Sequence, residues 1–310
     1  MVAGRTEPRV RRVQSRAAWA CASAASRVIE SRMAAAARIL ADVVAYRLRR
    51  LEMANLAAAV ALMLALRLPW PELAFRSVFA ALLNVLAYTT NDYYDVERDL
   101  AAGRAPEKSR YLAEHRKAAL GAQLGLALLL FALALYFSVE LVLTTAVGAG
   151  LCWLYSARLK GVAYADIAAM ALWGIVMPLV AVPYTSRLGW ALVIQLGLFS
   201  ACFETIQVIR DADQDRQVGL ETSAVRLGTP RSIRLLRGLM ILVAGYAVLV
   251  LHRFIGLGLF LAPLLPFDAP GSYWNRVRFV FGLVWLCMLG WVYVTGRSAG
   301  WLELPWLTAK

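Results

Sequence analysis

An acidic segment, Asn91 to Asp99, follows directly on a long apolar run from Leu73 to Thr90. On a helix of 3.6 residues per turn, Asp92, Asp95 and Asp99 share an arc of about 60°, and Asn91 widens that arc to about 100°. Carboxylates crowded on one face repel each other unless a cation lies among them, and such oxygen ligands suit hard divalent ions such as Mg²⁺. Ionisable groups at the edge of an apolar span are costly, which favours a functional role over a solvated helix end.

A second acidic segment follows another apolar run, Leu192 to Val208. Its residues Asp211 and Asp215 are four apart and therefore share a helix face. Two such motifs could face each other and hold a diphosphate through shared Mg²⁺. The predicted metal ligands are Asn91, Asp92, Asp95, Asp99, Asp211 and Asp215. The predicted catalytic residues are Asp92, Asp95, Asp211, Asp215 and Glu204.

Glu204 lies within an apolar span, seven residues before Asp211 and on the same helix face. A carboxylate there is costly and usually points into a cavity, although a helix–helix hydrogen bond made in the protonated state is the alternative. Polar side chains upstream of both motifs suggest the wall of a substrate pocket. The predicted pocket residues are Asn84, Tyr88, Gln207 and Asn55.

Between the two motifs lies the segment Tyr155 to Gly161, which carries Arg158 and Lys160. Basic side chains there could grip diphosphate oxygens and offset the charge of a leaving group, or could simply set membrane topology. Asp166 could position one of them through a salt bridge. The predicted diphosphate-binding residues are Arg158, Lys160, Arg110 and Tyr155.

Composition assigns the chain to the membrane. Of its 310 residues, 61% are hydrophobic and 17% are charged, whereas soluble domains are about 45–50% apolar and about 25% charged. The net charge of +13 is therefore better explained by topology signals and phosphate partners than by nucleic acid, and no nucleic-acid partner is expected. The four cysteines are scattered, so neither a disulfide nor a zinc site is indicated.

Residues 1–50 are rich in alanine and arginine. Apolar residues recur there at helical spacing, which predicts an amphipathic helix on the inner membrane surface, preceded by a disordered basic arm. The apolar positions are Ile29, Met33, Ala36, Leu40, Val43 and Val44. A signal peptide is disfavoured because Arg27 interrupts the early apolar run. Residues 51–310 form the predicted transmembrane domain.

The expected fold is an all-α, polytopic membrane bundle of about nine transmembrane helices, with eight as the alternative. The predicted spans are Leu51–Leu68, Leu73–Asp92, Ala118–Phe137, Leu141–Tyr155, Ile167–Tyr184, Leu192–Ile209, Leu235–Leu251, Phe254–Pro266 and Val277–Val294. Arginine and lysine are concentrated in the loops that carry the acidic motifs. By the positive-inside rule, the N-terminus and a central cavity containing both motifs face the cytoplasm.

These motifs resemble those of the UbiA superfamily of intramembrane prenyltransferases. Asn91, Asp92, Asp95 and Asp99 match its first motif, N-D-x-x-D-x-x-x-D, and Asp211 and Asp215 match the shorter form of its second, D-x-x-x-D. The segments 155–160 and 224–228 also read like the family. The resemblance implies a helical bundle that binds Mg²⁺ and a polyprenyl diphosphate, with the prenyl tail in an apolar tunnel. It further implies ionisation to an allylic carbocation, which an acceptor captures.

The sequence departs from the family pattern at two places. The leading Asp of the longer second motif would fall at Val208, and the loop after Asp99 lacks the Arg-Pro pair of many quinone-pathway members. An aromatic or quinone-like acceptor is favoured, and a lipid or sugar-phosphate acceptor is the alternative. A transporter with intramembrane carboxylates is the alternative of another class, but its acids are expected near the midplane rather than at helix ends on one side.

Overall fold

The computed structural model describes residues 30–50, 52–101, 107–302 and 304–307, which form helices joined by turns and short irregular segments, with no β-strand among them. The helices in chain order are α1 (30–49), α2 (Ala54–Ala65), α3 (Trp70–Ala101), α4 (Glu107–Glu114), α5 (Arg116–Phe137), α6 (Val139–Leu154), α7 (Ala165–Leu179), α8 (Arg187–Gln217), α9 (Ser223–Leu227), α10 (Thr229–Tyr246) and α11 (Pro270–Thr295). Two π-helical segments, Tyr155–Leu159 and Ala247–Leu251, extend α6 and α10, and a 3₁₀ helix covers Ile255–Leu264. The all-α prediction is confirmed. The predicted basic arm lies outside the described residues.

Among the described residues, six helices are long and apolar enough to cross a membrane, so the chain is an integral, multi-pass membrane protein. Three further apolar helices, Ala54–Ala65, Ala165–Leu179 and Ile255–Leu264, coincide with predicted spans but are only 10–17 residues long. A crossing of the hydrocarbon core takes about 20 residues of α-helix. The count of nine crossings therefore stays a prediction.

Among the described helices, the two that carry the acidic motifs are the longest. Helices α3 and α8 have 32 and 31 residues, so each is about 47 Å long, against a hydrocarbon core of about 30 Å. The apolar part of each helix ends before its acidic motif begins. The helix itself continues for another two to three turns, which makes each motif a rigid extension of a spanning helix rather than part of a loop.

Helices α7 and α8 approach each other closely at two glycines. A Cβ atom on Gly174 would lie 2.4 Å from Ser200 Cβ, and one on Gly197 would lie 2.8 Å from the backbone oxygen of Ala171. Small residues permit such close backbone approach between membrane helices, where dispersion rather than the hydrophobic effect drives association. This contact fixes α8, and the acidic motif at its end, against α7.

Helix α1 packs on the rest of the protein near the end of α3. Ala35 and Ile39 are buried in a cluster with Val96 of α3, Leu112 of α4 and Ala119 of α5. Met33, near the start of α1, is exposed. The position of α1 on the inner membrane surface stays a prediction.

The chain leaves helical geometry at His252, where the backbone is extended with φ of −158°. The ring Nδ1 accepts the backbone N–H groups of Phe254 and Ile255 at 3.3 and 3.2 Å. Burial lowers the pKa of His252, and the charge of Arg253 acts in the same direction. Neutral His252 thus joins the end of the α10 extension to the 3₁₀ helix.

Candidate functional site

Asp92 of α3 is only 8% exposed and pairs with two basic side chains from other elements. Arg47 Nη2 of α1 lies 2.6 Å from one of its oxygens, and Lys108 Nζ of α4 lies 2.5 Å from the other. Burial acts to lower the pKa of Arg47, but the charge of Asp92 and the hydrogen bond to Glu52 outweigh it, and the net pKa is raised. Arg47 is therefore a permanent cation beside the first acidic motif.

Asp95, one turn further along α3, pairs with Lys160 at 2.5 Å. The same carboxylate accepts a hydrogen bond from Asn91 Nδ2 at 2.9 Å and lies 3.4 Å from Arg98 Nη1. Asp99, another turn on, accepts the hydroxyl of Ser109 at 3.2 Å. Asn91 and the three aspartates thus lie along one end of α3, as the spacing predicts.

Lys160 also faces the second acidic helix. It follows the π-helical segment Tyr155–Leu159, and its backbone N–H donates to the Tyr155 oxygen five residues back. The Tyr155 hydroxyl donates to Glu204 of α8 at 2.8 Å. Burial raises the pKa of Asp215 on α8, and the charge of Lys160 acts in the opposite direction. Lys160 therefore contacts the acidic end of α3 and belongs to a segment that is bonded to α8 through Tyr155.

The second motif is more exposed than the first. Asp211, with 42% of its side chain exposed, accepts two hydrogen bonds of 2.8 Å from its neighbour Arg210. Asp215 accepts the hydroxyl of Thr222 at 3.2 Å. The motif carboxylates therefore have basic or hydroxyl partners throughout the described site, and those on α8 are the more accessible to an incoming ion.

Asp166 is fully buried, and its predicted salt bridge to Arg158 or Lys160 is wrong. Its carboxylate instead accepts the backbone N–H of Ser223 at 2.7 Å, the Ser223 hydroxyl at 2.5 Å and the N–H of Ile167 at 2.8 Å. Ser223 begins α9, directly after the Thr222 that binds Asp215. Asp166 at the start of α7 thus anchors the loop after the second motif to the segment that carries Lys160.

Several predicted site residues make no direct bond to the motif carboxylates among the described contacts. Arg158 and Arg110 are exposed, and Gln207 and Asn55 are partly buried. Buried Asn84 donates to the carbonyl of its own helix, and the Tyr88 hydroxyl donates to the backbone oxygen of Glu52. Their roles in binding diphosphate or substrate remain predictions.

Arg47 and Lys108 were not predicted from the sequence as site residues. Both belong to basic segments that the positive-inside rule explains equally well. Neither segment lies close in sequence to both acidic motifs. Tyr46 and Arg47 lie at the end of the predicted amphipathic helix. The only sequence signal for a site there is a cluster of basic residues before the first predicted span. Folding brings that cluster back onto α3.

The donor set suits a hard cation, because it consists of carboxylate and amide oxygens. Over the part of the chain that the structure describes, no group of three or more His, Cys, Asp or Glu side chains is arranged to hold a metal ion. Asp92 and Asp95 instead form salt bridges with Lys108 and Lys160. Mg²⁺ would bind here only if these carboxylates exchanged their basic partners for it.

A cavity of about 350 Å³ lies between α3, α5, α6 and α7. Its lining is mostly apolar and includes Leu83, Leu124 and Trp173. Near its edge, Trp153 Nε1 donates to the Tyr94 hydroxyl at 2.8 Å. This cavity borders the part of α3 that precedes and enters the first motif. That a central cavity opens toward the cytoplasm stays a prediction.

The fold and the site together define a multi-pass, all-helical membrane protein with two acidic motifs at the ends of long spanning helices. The chain belongs to the UbiA prenyltransferase family, whose sequence profile matches residues 54–279. The resemblance predicted from the motifs is thereby confirmed. No curated protein sequence matches the chain.

Solved structures share the fold at low sequence identity. A UbiA homolog from Archaeoglobus fulgidus bound to GPP and Mg²⁺ is 16% identical, with a TM-score of 0.59 over 84% of this chain and 100% of that one. A structure of digeranylgeranylglyceryl phosphate synthase is 13% identical, with a TM-score of 0.61 over 84% and 99%. A UbiA homolog from Aeropyrum pernix K1 is 18% identical, with a TM-score of 0.50 over 77% and 95%.

Proposed function

We propose that this protein transfers a prenyl group from a polyprenyl diphosphate to an acceptor within the membrane, and that the reaction depends on Mg²⁺. An aromatic or quinone-like acceptor is favoured. The observation that carries the proposal is the position of Lys160, whose Nζ lies 2.5 Å from Asp95 on α3 and whose segment is bonded to α8 through the hydrogen bond of Tyr155 to Glu204. A cation beside acidic helix ends suits the binding of a metal diphosphate, because it can offset the charge of the departing group.

In this proposal the aspartates of both motifs, with Asn91, hold the metal. When bound, Mg²⁺ supplies positive charge that offsets the charge of the diphosphate. Lys160 donates to the departing diphosphate, which leaves with the electron pair of the broken C–O bond. Tyr155, tied to Glu204, fixes the geometry of the segment that carries Lys160. The apolar helices keep water from the allylic carbocation until the acceptor forms the new bond and loses a proton.

Two further features belong to the proposal. The site faces the cytoplasm. The basic residues around it, including Arg47, Lys108 and Arg210, support this orientation, because such residues gather on the cytoplasmic side of membrane proteins. The bundle crosses the membrane nine times, with the three shorter apolar helices completing the six long ones. Glu204, only 4% exposed and bonded to Tyr155, is the candidate group to accept the acceptor's proton.

The test uses the detergent-purified full chain and radiolabelled geranyl, farnesyl and geranylgeranyl diphosphates. We expect binding that requires Mg²⁺, followed by diphosphate release and a prenylated product with one member of a panel of aromatic, lipid and sugar-phosphate acceptors. Indifference of binding to Mg²⁺ would contradict the proposal. Movement of a cation across vesicles, without any prenylated product, would favour the transporter alternative.

Two aspartate variants sharpen this test. Asp95→Asn should lower turnover by at least about 100-fold, because even groups that only support metal ligands cost about 10–100-fold when changed. Asp213→Asn is the matched control, since Asp213 lies in the second acidic segment with 93% of its side chain exposed and pairs only with Arg216 among the described contacts. Wild-type turnover in Asp95→Asn would remove Asp95 from the proposed site.

A further inference from the structure

Arg47 stands out because it reaches the site from outside the region that the family profile matches. That region begins at residue 54, whereas Arg47 lies near the end of α1. Its guanidinium bridges two carboxylates, with Nη1 at 2.5 Å from Glu52 and Nη2 at 2.6 Å from Asp92. The guanidinium carbon Cζ lies over the Tyr88 ring, 4.6 Å from its centre.

The anchor of Arg47 at Glu52 is independent of the acidic motif. Glu52 also pairs with Arg50 at 2.8 Å, and its backbone oxygen accepts the Tyr88 hydroxyl at 2.5 Å. These contacts hold Glu52, shortly before α2, in place. Arg47 would therefore keep its position through Glu52 and Tyr88 if its contact with Asp92 were given up.

Charge balance indicates what happens when Asp92 takes a different partner. Together with Arg50, which also pairs with Glu52, the residues Arg47, Lys108, Asp92 and Glu52 form a group of three positive and two negative charges, and the side chains of Arg47 and Lys108 are at most 15% exposed. Taking Asp92 away from these two buried cations is costly unless another anion replaces it. The Nε–H of Arg47 is buried as well and has no hydrogen-bond partner among the described residues. The guanidinium thus has donors available for an additional oxygen ligand.

We propose that Arg47 is a diphosphate-positioning residue that α1 supplies to the site. When the metal diphosphate binds and Asp92 becomes a metal ligand, the donors of Arg47 pass from Asp92 to a phosphate oxygen while the contact with Glu52 persists. The planar guanidinium suits this exchange, because it presents several donors at fixed angles to carboxylate or phosphate oxygens. Helix α1 is then part of the binding site rather than only a membrane anchor. This inference rests on the proposed function.

The test measures binding without turnover, using the full chain, Mg²⁺ and geranyl thiolodiphosphate, an analogue whose C–S bond resists ionisation. Arg47→Gln should weaken binding of the analogue by about 10- to 100-fold, the range expected for loss of a hydrogen bond to a charged group. The affinity of Arg47→Lys for the analogue should lie between those of Arg47→Gln and wild type, since one ammonium cannot bridge two anions as the guanidinium does. Arg49→Gln, an exposed arginine two residues further on, should bind within about twofold of wild type.

A second readout separates positioning from a purely structural role. This readout is the binding of Mn²⁺ in the absence of diphosphate, followed by electron paramagnetic resonance. Arg47→Gln should bind Mn²⁺ at least as tightly as wild type, because the substitution removes a competing cation from Asp92. Loss of both Mn²⁺ and analogue binding in Arg47→Gln and Arg47→Lys would overturn the inference in favour of a structural role. Unchanged analogue binding in Arg47→Gln would also overturn it. Absence of Mg²⁺-dependent binding in wild type would instead overturn the proposed function, and this inference with it.

Discussion

Replacement of Asp166 by alanine offers a sharp test of how the site is assembled. The Asp166 carboxylate is completely buried and accepts three hydrogen bonds, two of them from Ser223. Hydrogen bonds to a charged group contribute about 1.5–3 kcal/mol each, and donors left buried without a partner add a penalty. Allowing for relaxation of the start of α9, we expect Asp166→Ala to lower the free energy of unfolding by about 3–5 kcal/mol.

Thermal unfolding of the detergent-purified protein provides the assay. For a chain of 310 residues, such a loss corresponds to a fall in Tm of roughly 5–8 °C. The Tm of Asp166→Asn should fall by about half as much, because its amide oxygen can still accept hydrogen bonds while its amide N–H₂ faces the Ser223 N–H. Mg²⁺-dependent diphosphate binding should weaken in both variants, since Thr222 beside Ser223 supports Asp215.

The control for this experiment is Asp213→Ala, which removes an exposed carboxylate from the neighbouring acidic segment. A surface ion pair is worth about 0–1 kcal/mol, so its Tm should stay close to that of wild type. The reasoning would be refuted if Asp166→Ala unfolded within about 1 °C of wild type. It would also be refuted if Asp213→Ala showed the same fall, because burial of the carboxylate would then not be the cause.

Two further predictions concern the scaffold. Gly197→Ala should destabilise the protein by about 1–3 kcal/mol, because the added Cβ would clash with Ile175 and Ala171. The control Gly238→Ala, with open space around it, should be neutral or stabilising by up to about 1 kcal/mol. Equal Tm values for the two variants would contradict the close α7–α8 contact. Because the folded pKa of His252 is below its unfolded value, stability should be lost as the pH falls below about 6.5, and His252→Asn should remove that part of the pH dependence of Tm.

The long acidic helices were predictable because their signals are local. Three aspartates at helical spacing after an apolar run indicate a charged helix face at a membrane boundary, whatever the rest of the fold does. Both acidic segments do continue their helices, α3 and α8. A boundary near His252 was also expected, because one predicted span ends at Leu251 and the next begins at Phe254, although the sequence did not predict the 3₁₀ geometry that follows it.

The partners of the acidic groups could not be predicted, because ion pairs between distant segments depend on how the helices pack. Asp166 illustrates the point, since its neighbours in sequence suggested Lys160, while packing of α9 against α7 gave it Ser223. Of the two basic residues near Tyr155, Lys160 contacts Asp95 and Arg158 is exposed. The packing of this segment against α3 selects between them, and local sequence propensity does not encode that choice.

The sequence by itself therefore determined the class of the protein, its membrane character and the two acidic motifs, because composition and short-range spacing encode these directly. Tertiary structure alone decided which cations meet those motifs. Arg47 lies 45 residues from Asp92 along the chain and Lys160 lies 65 residues from Asp95, and a buried charge takes whichever opposite charge the packed helices bring within reach.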